Sequence, residues 1–111
     1  MYLAPLDGPV IASERDALDL IGATYGQEVA WIAIPASRLS AEFFRLHTGL
    51  AGAFLQKLVN YRLKAAILGD IAPHIAASRA FADFVNESNR GSDVWFARDE
   101  AELEARLAAA P

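Results

Sequence analysis

The chain has 111 residues, of which 54% are hydrophobic and 22% are charged, and this composition predicts one folded domain spanning residues 1–111. It contains no cysteine, which excludes disulfides and thiol chemistry, and its net charge of -4 with scattered basic residues argues against nucleic acid as a partner. Because it has neither a run of about 20 apolar residues nor the features of a signal peptide, we expect a cytoplasmic protein that does not enter membranes.

The N-terminal third predicts one or two short strands, a helix and a buried strand. The turn signal Asp7-Gly8-Pro9 leaves two alternatives for residues 2–12: a hairpin that would add an antiparallel edge, or one short strand after a loose end. Ser13 is expected to cap a helix that carries acidic residues in its first turn. Residues 29–34 (VAWIAI) are apolar and β-favouring, which predicts a buried strand ended by Pro35.

The central helix is predicted over residues 48–60, with Thr48 as its N-cap. Its apolar residues recur at helical spacing and form one broad face. That face consists of Leu50, Ala51, Phe54, Leu55, Leu58 and Val59. In the preceding connection, Ser40 is expected to cap an extra turn that carries Phe43 and Phe44. This pair is interpreted as the most exposed apolar feature, for which packing beneath its own loop is favoured over a dimer contact.

The C-terminal half predicts two strands and two helices. Ser78 is expected to cap a helix that ends near Gly91, with Asn89 or Gly91 in the left-handed conformation. Asp99, followed by Glu102 three residues later, resembles a capping box that begins a terminal helix. In chain order the predicted elements are a strand at residues 63–68, a loop at 70–77, a helix between 78 and 91, a strand at 94–97 and a helix from residue 99.

Strands that alternate with helices in this way predict right-handed βαβ units, so we expect an α/β fold with a small, single-layer, mostly parallel sheet. Ligands of such sheets bind outside the carboxyl ends of the strands. This rule selects polar residues in the loops that follow the strands as the ligand or partner surface. The candidate residues are His47, Thr48, Gly49, Asp70, His74 and Ser78.

Each candidate also has a purely structural interpretation. The small residues 48–52 would present free helix amides to an anion or a phosphorylated side chain, although a simple capping role for Thr48 is favoured. Asp70 would act as an acid, a base or a cation ligand, against a favoured role in binding local backbone amides. His47 and His74 would pair at this edge, but surface positions are favoured. No catalytic constellation is recognisable, and neither a metal nor a cofactor is predicted.

Three segments carry a family resemblance: residues 13–22 (SERDALDLIG), 43–70 (FFRLHTGLAGAFLQKLVNYRLKAAILGD) and 81–91 (FADFVNESNRG). In these segments the chain resembles the bacterial family catalogued as domain of unknown function 4180. The similarity covers nearly the whole chain, and its middle segment is specific. The family name implies no activity.

A more distant resemblance concerns the element order and the small residues followed by Gly-Leu at the start of the central helix. Both are similar to STAS domains (sulfate transporter and anti-sigma-factor antagonist), which have the SpoIIAA-like fold and act as binding modules. In several of them a Ser or Thr at this helix start is phosphorylated by a partner kinase, which implies that Thr48 is a phosphoacceptor. The usual Asp-Ser-Ser/Thr-Gly-Leu pattern is replaced here by Leu46-His47-Thr48-Gly49-Leu50.

Together these observations predict a non-enzymatic regulatory or protein-interaction module with a STAS-like fold. Its protein partner is unknown, and a homodimer is one alternative. The other functional hypothesis is a small-molecule-binding protein or a small enzyme that uses the same edge of the sheet. A shallow surface would favour the module, whereas a cleft holding convergent polar groups with shifted pKa values would favour the enzyme.

Overall fold

A computed structural model describes residues 1–109, so that Ala110 and Pro111 of the predicted domain lie outside the described residues. Its strands form one parallel sheet, which confirms the predicted α/β class. The strands are β1 (Tyr2–Leu3), β2 (Trp31–Pro35), β3 (Lys64–Leu68) and β4 (Val94–Ala97). The helices are α1 (Asp16–Thr24), α2 (Leu50–Asn60), α3 (Ala72–Ala77), α4 (Arg79–Arg90) and α5 (Glu100–Ala109), and 3₁₀ turns occupy Ala36–Arg38, Ala41–Phe44 and Leu46–Thr48.

The strands lie in the sheet in the order in which they occur in the chain, β1-β2-β3-β4. Parallel neighbours joined by right-handed crossovers place all their connecting helices on one face of the sheet. The larger core accordingly contains buried residues of α1, α2 and α4 together with side chains from one face of the sheet. The sheet residues of this core are Ile32, Ile34, Ala65, Ile67 and Phe96.

The opposite face of the sheet is covered by α5, which contributes the fully buried Leu103. This smaller core includes Ala33, Ala66, Trp95 and Ala97, with Trp31 and Leu107 packed against it. The ring centroids of Trp31 and Trp95 are 4.4 Å apart. The sheet therefore separates two cores that share its central strands.

The N-terminal segment forms one short strand parallel to β2, so the hairpin alternative with its antiparallel edge is wrong. Tyr2 pairs with Ile32, and the segment after the turn makes only an isolated parallel bridge between Ile11 and Leu39. Residues 10–12 do not fold back on β1, because they run along the turn at Ala36–Arg38. There the main chain of residue 11 exchanges hydrogen bonds with residues 38 and 40.

The predicted turn Asp7-Gly8-Pro9 closes around the buried side chain of Arg38. The guanidinium donates from Nε to the carbonyl oxygen of Pro9 (3.1 Å) and from Nη1 to that of Pro5 (3.2 Å). A Cβ atom on Gly8 would lie 2.5 Å from Cζ of Arg38, so glycine permits this close approach. Arg38 thereby fixes the N-terminal turn to the connection that follows β2.

The start of α1 differs from its prediction, because the helix begins at Asp16 and Ser13 makes no side-chain cap. Residues 13–15 instead form a tight turn whose carbonyls accept bonds from the amides three residues later. The carboxylate of Asp16 accepts hydrogen bonds from the backbone amides of Ala12 (2.8 Å) and Ser13 (3.0 Å). These bonds, chiefly the one from Ala12, lower the pKa of Asp16.

Two further predictions in the C-terminal half are wrong. The loop at residues 70–77 contains the short helix α3, because Pro73 lies in the first turn, where the missing N–H is not needed. Neither Asn89 nor Gly91 is left-handed, since Asn89 lies within α4 and Gly91 has a φ of -85°. Gly91 nevertheless ends the helix as expected.

Several boundary residues act as predicted. The hydroxyl of Ser78 accepts a hydrogen bond from the Phe81 amide (3.1 Å) and caps α4. The carboxylate of Asp99 accepts one from the Glu102 amide (2.8 Å), which is half of a capping box at α5. The last strand has the predicted bounds, and the two central strands begin slightly later than predicted.

Candidate functional site

A cleft of about 510 Å³ lies between the 3₁₀ turns of residues 41–48 and the α3–α4 segment, beyond the carboxyl ends of β2 and β3. We call it the His47–His74 cleft. It brings together three of the predicted site residues from two distant segments of the chain. Its polar lining residues are Arg45, His47, His74 and Ser78, and Phe44 and Leu46 contribute apolar surface.

The imidazole of His74 is held by an aromatic stack. Its ring centroid lies 3.7 Å from that of Phe44, with an interplanar angle of 3°. Phe44 is itself buried and meets Phe43 and Phe81 edge-on at centroid distances of 5.7 and 5.5 Å. Phe43 and Phe44 are therefore packed against other side chains, as predicted. They are not exposed, which corrects the expectation that they form the most exposed apolar feature. The adjacent turns rotate both rings into the larger core, where Phe43 meets Phe54.

The ionisable side chains that line this cleft, Arg45, His47 and His74, are all of the cationic type. Arg45 and His47 are exposed, and His74 is half-buried. The start of α4 also faces the cleft through Ser78, and the positive end of a helix dipole adds to the local potential. The lining of the cleft is thus basic, and no carboxylate is among its described residues, on a chain with a net charge of -4.

Thr48 and Gly49 lie outside the lining of this cleft. The N-cap of α2 is Gly49, with a φ of 77°, and not Thr48 as predicted. The reason is the 3₁₀ turn before it, which needs a left-handed residue to lead into the helix. The hydroxyl of Thr48 still accepts a bond from the Leu50 amide (3.2 Å) and donates toward the carbonyl oxygens of Glu42 (3.0 Å) and Arg45 (2.9 Å).

Asp70 lies at the same edge of the sheet but is exposed. Its carboxylate accepts a hydrogen bond from the Ala72 amide (3.0 Å), which is the local backbone role favoured from the sequence. Together with His74 it lines an adjoining cleft of about 390 Å³, which also contains Pro35 and Ala36. The structure therefore places Asp70 beside the His47–His74 cleft rather than within it.

A third cleft of about 290 Å³ lies beyond the carboxyl ends of β3 and β4, and its lining is largely apolar. Asp70, Asn89, Arg98 and Glu102 are its polar members. Arg98 donates from Nε to Glu102 (2.9 Å), and this hydrogen bond raises the pKa of the exposed guanidinium. With Asp70, the lining holds two carboxylates and one guanidinium, so the ionisable groups of this cleft do not favour an anion.

The sequence reasoning did not identify Arg45 as a member of the site. Arg38, the other arginine of the same connection, is a buried residue that binds backbone carbonyls. The two turns that bracket residue 45 reverse the chain and bring both Arg45 and His47 to one cleft. A basic residue two positions before His47, in the loop after a strand, was the available signal.

Ser40 differs from its prediction as well, because its side chain makes no cap hydrogen bond at the turn it precedes. Its hydroxyl oxygen is buried and has no hydrogen-bond partner within residues 1–109. Across the same residues, no group of three or more His, Cys, Asp or Glu side chains is arranged to hold a metal ion.

The family model described as "Domain of unknown function (DUF4180)" matches residues 2–107. The chain belongs to this family. The membership expected from the three sequence segments is therefore confirmed. Comparisons of this DUF4180 chain with curated proteins and with solved structures find no match. None of the helices formed by residues 1–109 of the DUF4180 chain has the length and apolar character needed to cross a membrane.

Proposed function

We propose that this DUF4180 protein is a non-enzymatic regulatory or protein-interaction module that works in the cytoplasm through the His47–His74 cleft. The observation that carries the proposal is the convergence of His47, His74 and Ser78 from two segments at one edge of the sheet. Loops at this edge are where parallel α/β sheets bind their ligands.

The chemistry of the cleft supports binding rather than catalysis. Ser78 is engaged as the cap of α4, and His74 is held flat against Phe44. Apart from the short helix α3, the observed order of strands and helices is the predicted order on which the resemblance to STAS domains rests, and it supports a STAS-like relationship.

A side chain that fills the cleft tests the proposal. Ala80 is an exposed residue of α4 that lines the cleft, and Ala105 is an exposed residue of α5 that does not. Native mass spectrometry of the protein purified from its own cytosol would compare wild type, Ala80→Trp and Ala105→Trp. We expect a stoichiometric protein partner on wild type and on Ala105→Trp that is absent from Ala80→Trp. A partner retained by Ala80→Trp, or no bound protein in any sample, would contradict the proposal.

A small-molecule-binding protein is the second candidate, favoured by the size of the cleft. Its volume of about 510 Å³ falls in the range of roughly 300–1,000 Å³ typical of small-molecule sites. In the same spectra this function predicts a small molecule that is retained on wild type, is released by denaturation and is absent from Ala80→Trp.

A further inference from the structure

The ionisable side chains that line the His47–His74 cleft are all bases. Its ionisable lining groups are Arg45, His47 and His74, and no carboxylate is among the described residues that line it. Glu42 and Asp70, the acidic residues nearest in sequence to these groups, lie outside the lining. An anion is therefore the ligand class that this arrangement favours electrostatically.

The guanidinium of Arg45 is available for such a ligand. Within residues 1–109 its side chain forms neither a hydrogen bond nor an ion pair, whereas Arg38, Arg98 and Arg106 are each bound to groups of the fold. A guanidinium offers a planar set of donors that suits the oxygen atoms of phosphate. Arg45 is thus a free donor at the rim of a concave surface.

The two histidines extend this donor set into the cleft. Neither His47 nor His74 has a side-chain hydrogen-bond partner among the described residues, so their ring N–H groups are not used by the fold. The stack on Phe44 fixes the plane of the His74 ring, so the imidazole has a defined orientation in the cleft. Fixed donors lose less conformational freedom when a ligand binds.

We propose that the His47–His74 cleft binds the phosphate group of a small phosphate monoester, with Arg45 as the principal anion-binding residue. The phosphate lies between Arg45 and the two imidazoles, and the organic portion lies against Leu46 and the adjacent alanines of the cleft. The inference rests on the proposed function in one respect, because both use the same cleft.

An NMR titration of the 111-residue chain tests this inference, with benzyl phosphate as the probe and benzyl alcohol as its uncharged counterpart. Saturable changes in the backbone amide signals of residues 44–48 and 74–80 are expected for benzyl phosphate alone. Equal binding of benzyl alcohol would overturn the inference, as would the absence of saturable changes or their confinement to other residues.

Arg45→Gln and Arg15→Gln form a matched pair of variants, because both arginines are exposed and neither side chain is hydrogen-bonded within residues 1–109. Arg45→Gln should weaken benzyl phosphate binding about tenfold, the effect of losing one charge-assisted hydrogen bond. Arg15→Gln should leave it unchanged. Equal affinities for the two variants would overturn the role of Arg45, and the dispersion of each spectrum reports whether that variant is folded.

His47→Gln supplies a second variant, in case Arg45→Gln does not fold, and it should also weaken the binding of benzyl phosphate. Unchanged phosphate binding by that variant would contradict the inference. The NMR titration and the test of the proposed function give separate results. The loss of a protein partner from Ala80→Trp is measured as a change in mass by native mass spectrometry. A failed titration together with such a loss would overturn only the phosphate inference.

Discussion

At the scale of single residues, the hydroxyl group of Thr48 connects two consecutive 3₁₀ turns with the start of α2. It shares its hydrogen between the carbonyl oxygens of Glu42 and Arg45 and accepts from the Leu50 amide. Phosphorylation would replace that hydrogen with a group carrying about -1.5 to -2 charges. The role of Thr48 as a phosphoacceptor stays a prediction, and it would require these hydrogen bonds to break.

Replacing Thr48 tests its structural role directly. Thr48→Val keeps the shape of the side chain but removes the hydroxyl, and should lower the free energy of unfolding by about 1–2 kcal/mol. Thr48→Ser keeps the hydroxyl and should retain most of the stability. Urea unfolding followed by circular dichroism measures both, and equal stabilities would show that the hydroxyl bonds contribute nothing.

At the scale of elements, one backbone amide at the open edge of β4 is hydrogen-bonded by a side chain at the end of α4. The amide of Phe96 donates to Oδ1 of Asn89 (2.8 Å), which takes the place of a further strand. Arg106 of α5 donates to the same oxygen (3.3 Å) and also to the Asn89 backbone carbonyl. Its guanidinium carbon lies 3.9 Å from the centroid of the Trp95 ring. Asn89 therefore links α4, β4 and α5.

The side chain of Asn89 contributes to this arrangement through its oxygen Oδ1, which accepts both hydrogen bonds. Asn89→Leu should lower the free energy of unfolding by about 1–3 kcal/mol, because a partly buried N–H group loses its partner. It should also accelerate hydrogen exchange at the Phe96 amide. Asn89→Asp retains an acceptor for both donors and should protect that amide as wild type does. Equally fast exchange in the two variants would refute the interpretation.

At the scale of the whole molecule, the sequential order of the strands leaves one face of the sheet to a single helix. Leu103 is fully buried there against Trp95, whereas Leu107 is only half-buried. Both tryptophans of the chain, Trp31 and Trp95, belong to this side of the sheet. Tryptophan fluorescence therefore reports on the smaller core, while the circular dichroism signal comes mainly from helices on the other face.

Because the two cores share the central strands, they should unfold together. Leu103→Ala should lower the free energy of unfolding by about 2–5 kcal/mol, and Leu107→Ala should cost less. In both variants the denaturation curves followed by fluorescence and by circular dichroism should coincide. A fluorescence transition that precedes the loss of helix would show instead that α5 detaches as an independent unit.

The sequence by itself determined the α/β class, the parallel sheet and the family. Continuous apolar runs defined the central strands, and helical spacing identified the buried face of α2, in which Phe54 and Leu58 are fully buried. Local capping chemistry also identified Ser78 and Asp99 as boundary residues. These features are encoded by periodicity or by contacts between residues a few positions apart, and such patterns can be read without tertiary contacts.

Tertiary structure decided the position of the first strand and the composition of the candidate site. The pairing of β1 with β2, rather than with the segment that follows β1 in the chain, depends on contacts across about thirty residues. The binding of Arg38 to the N-terminal turn spans a similar distance in sequence. The 3₁₀ turns of residues 41–48 carry no periodic signal, yet they bury Phe44 and bring Arg45 beside His74. The sequence predicted that the candidates lie at the carboxyl-end edge of the sheet, and folding decided which of them share a cleft.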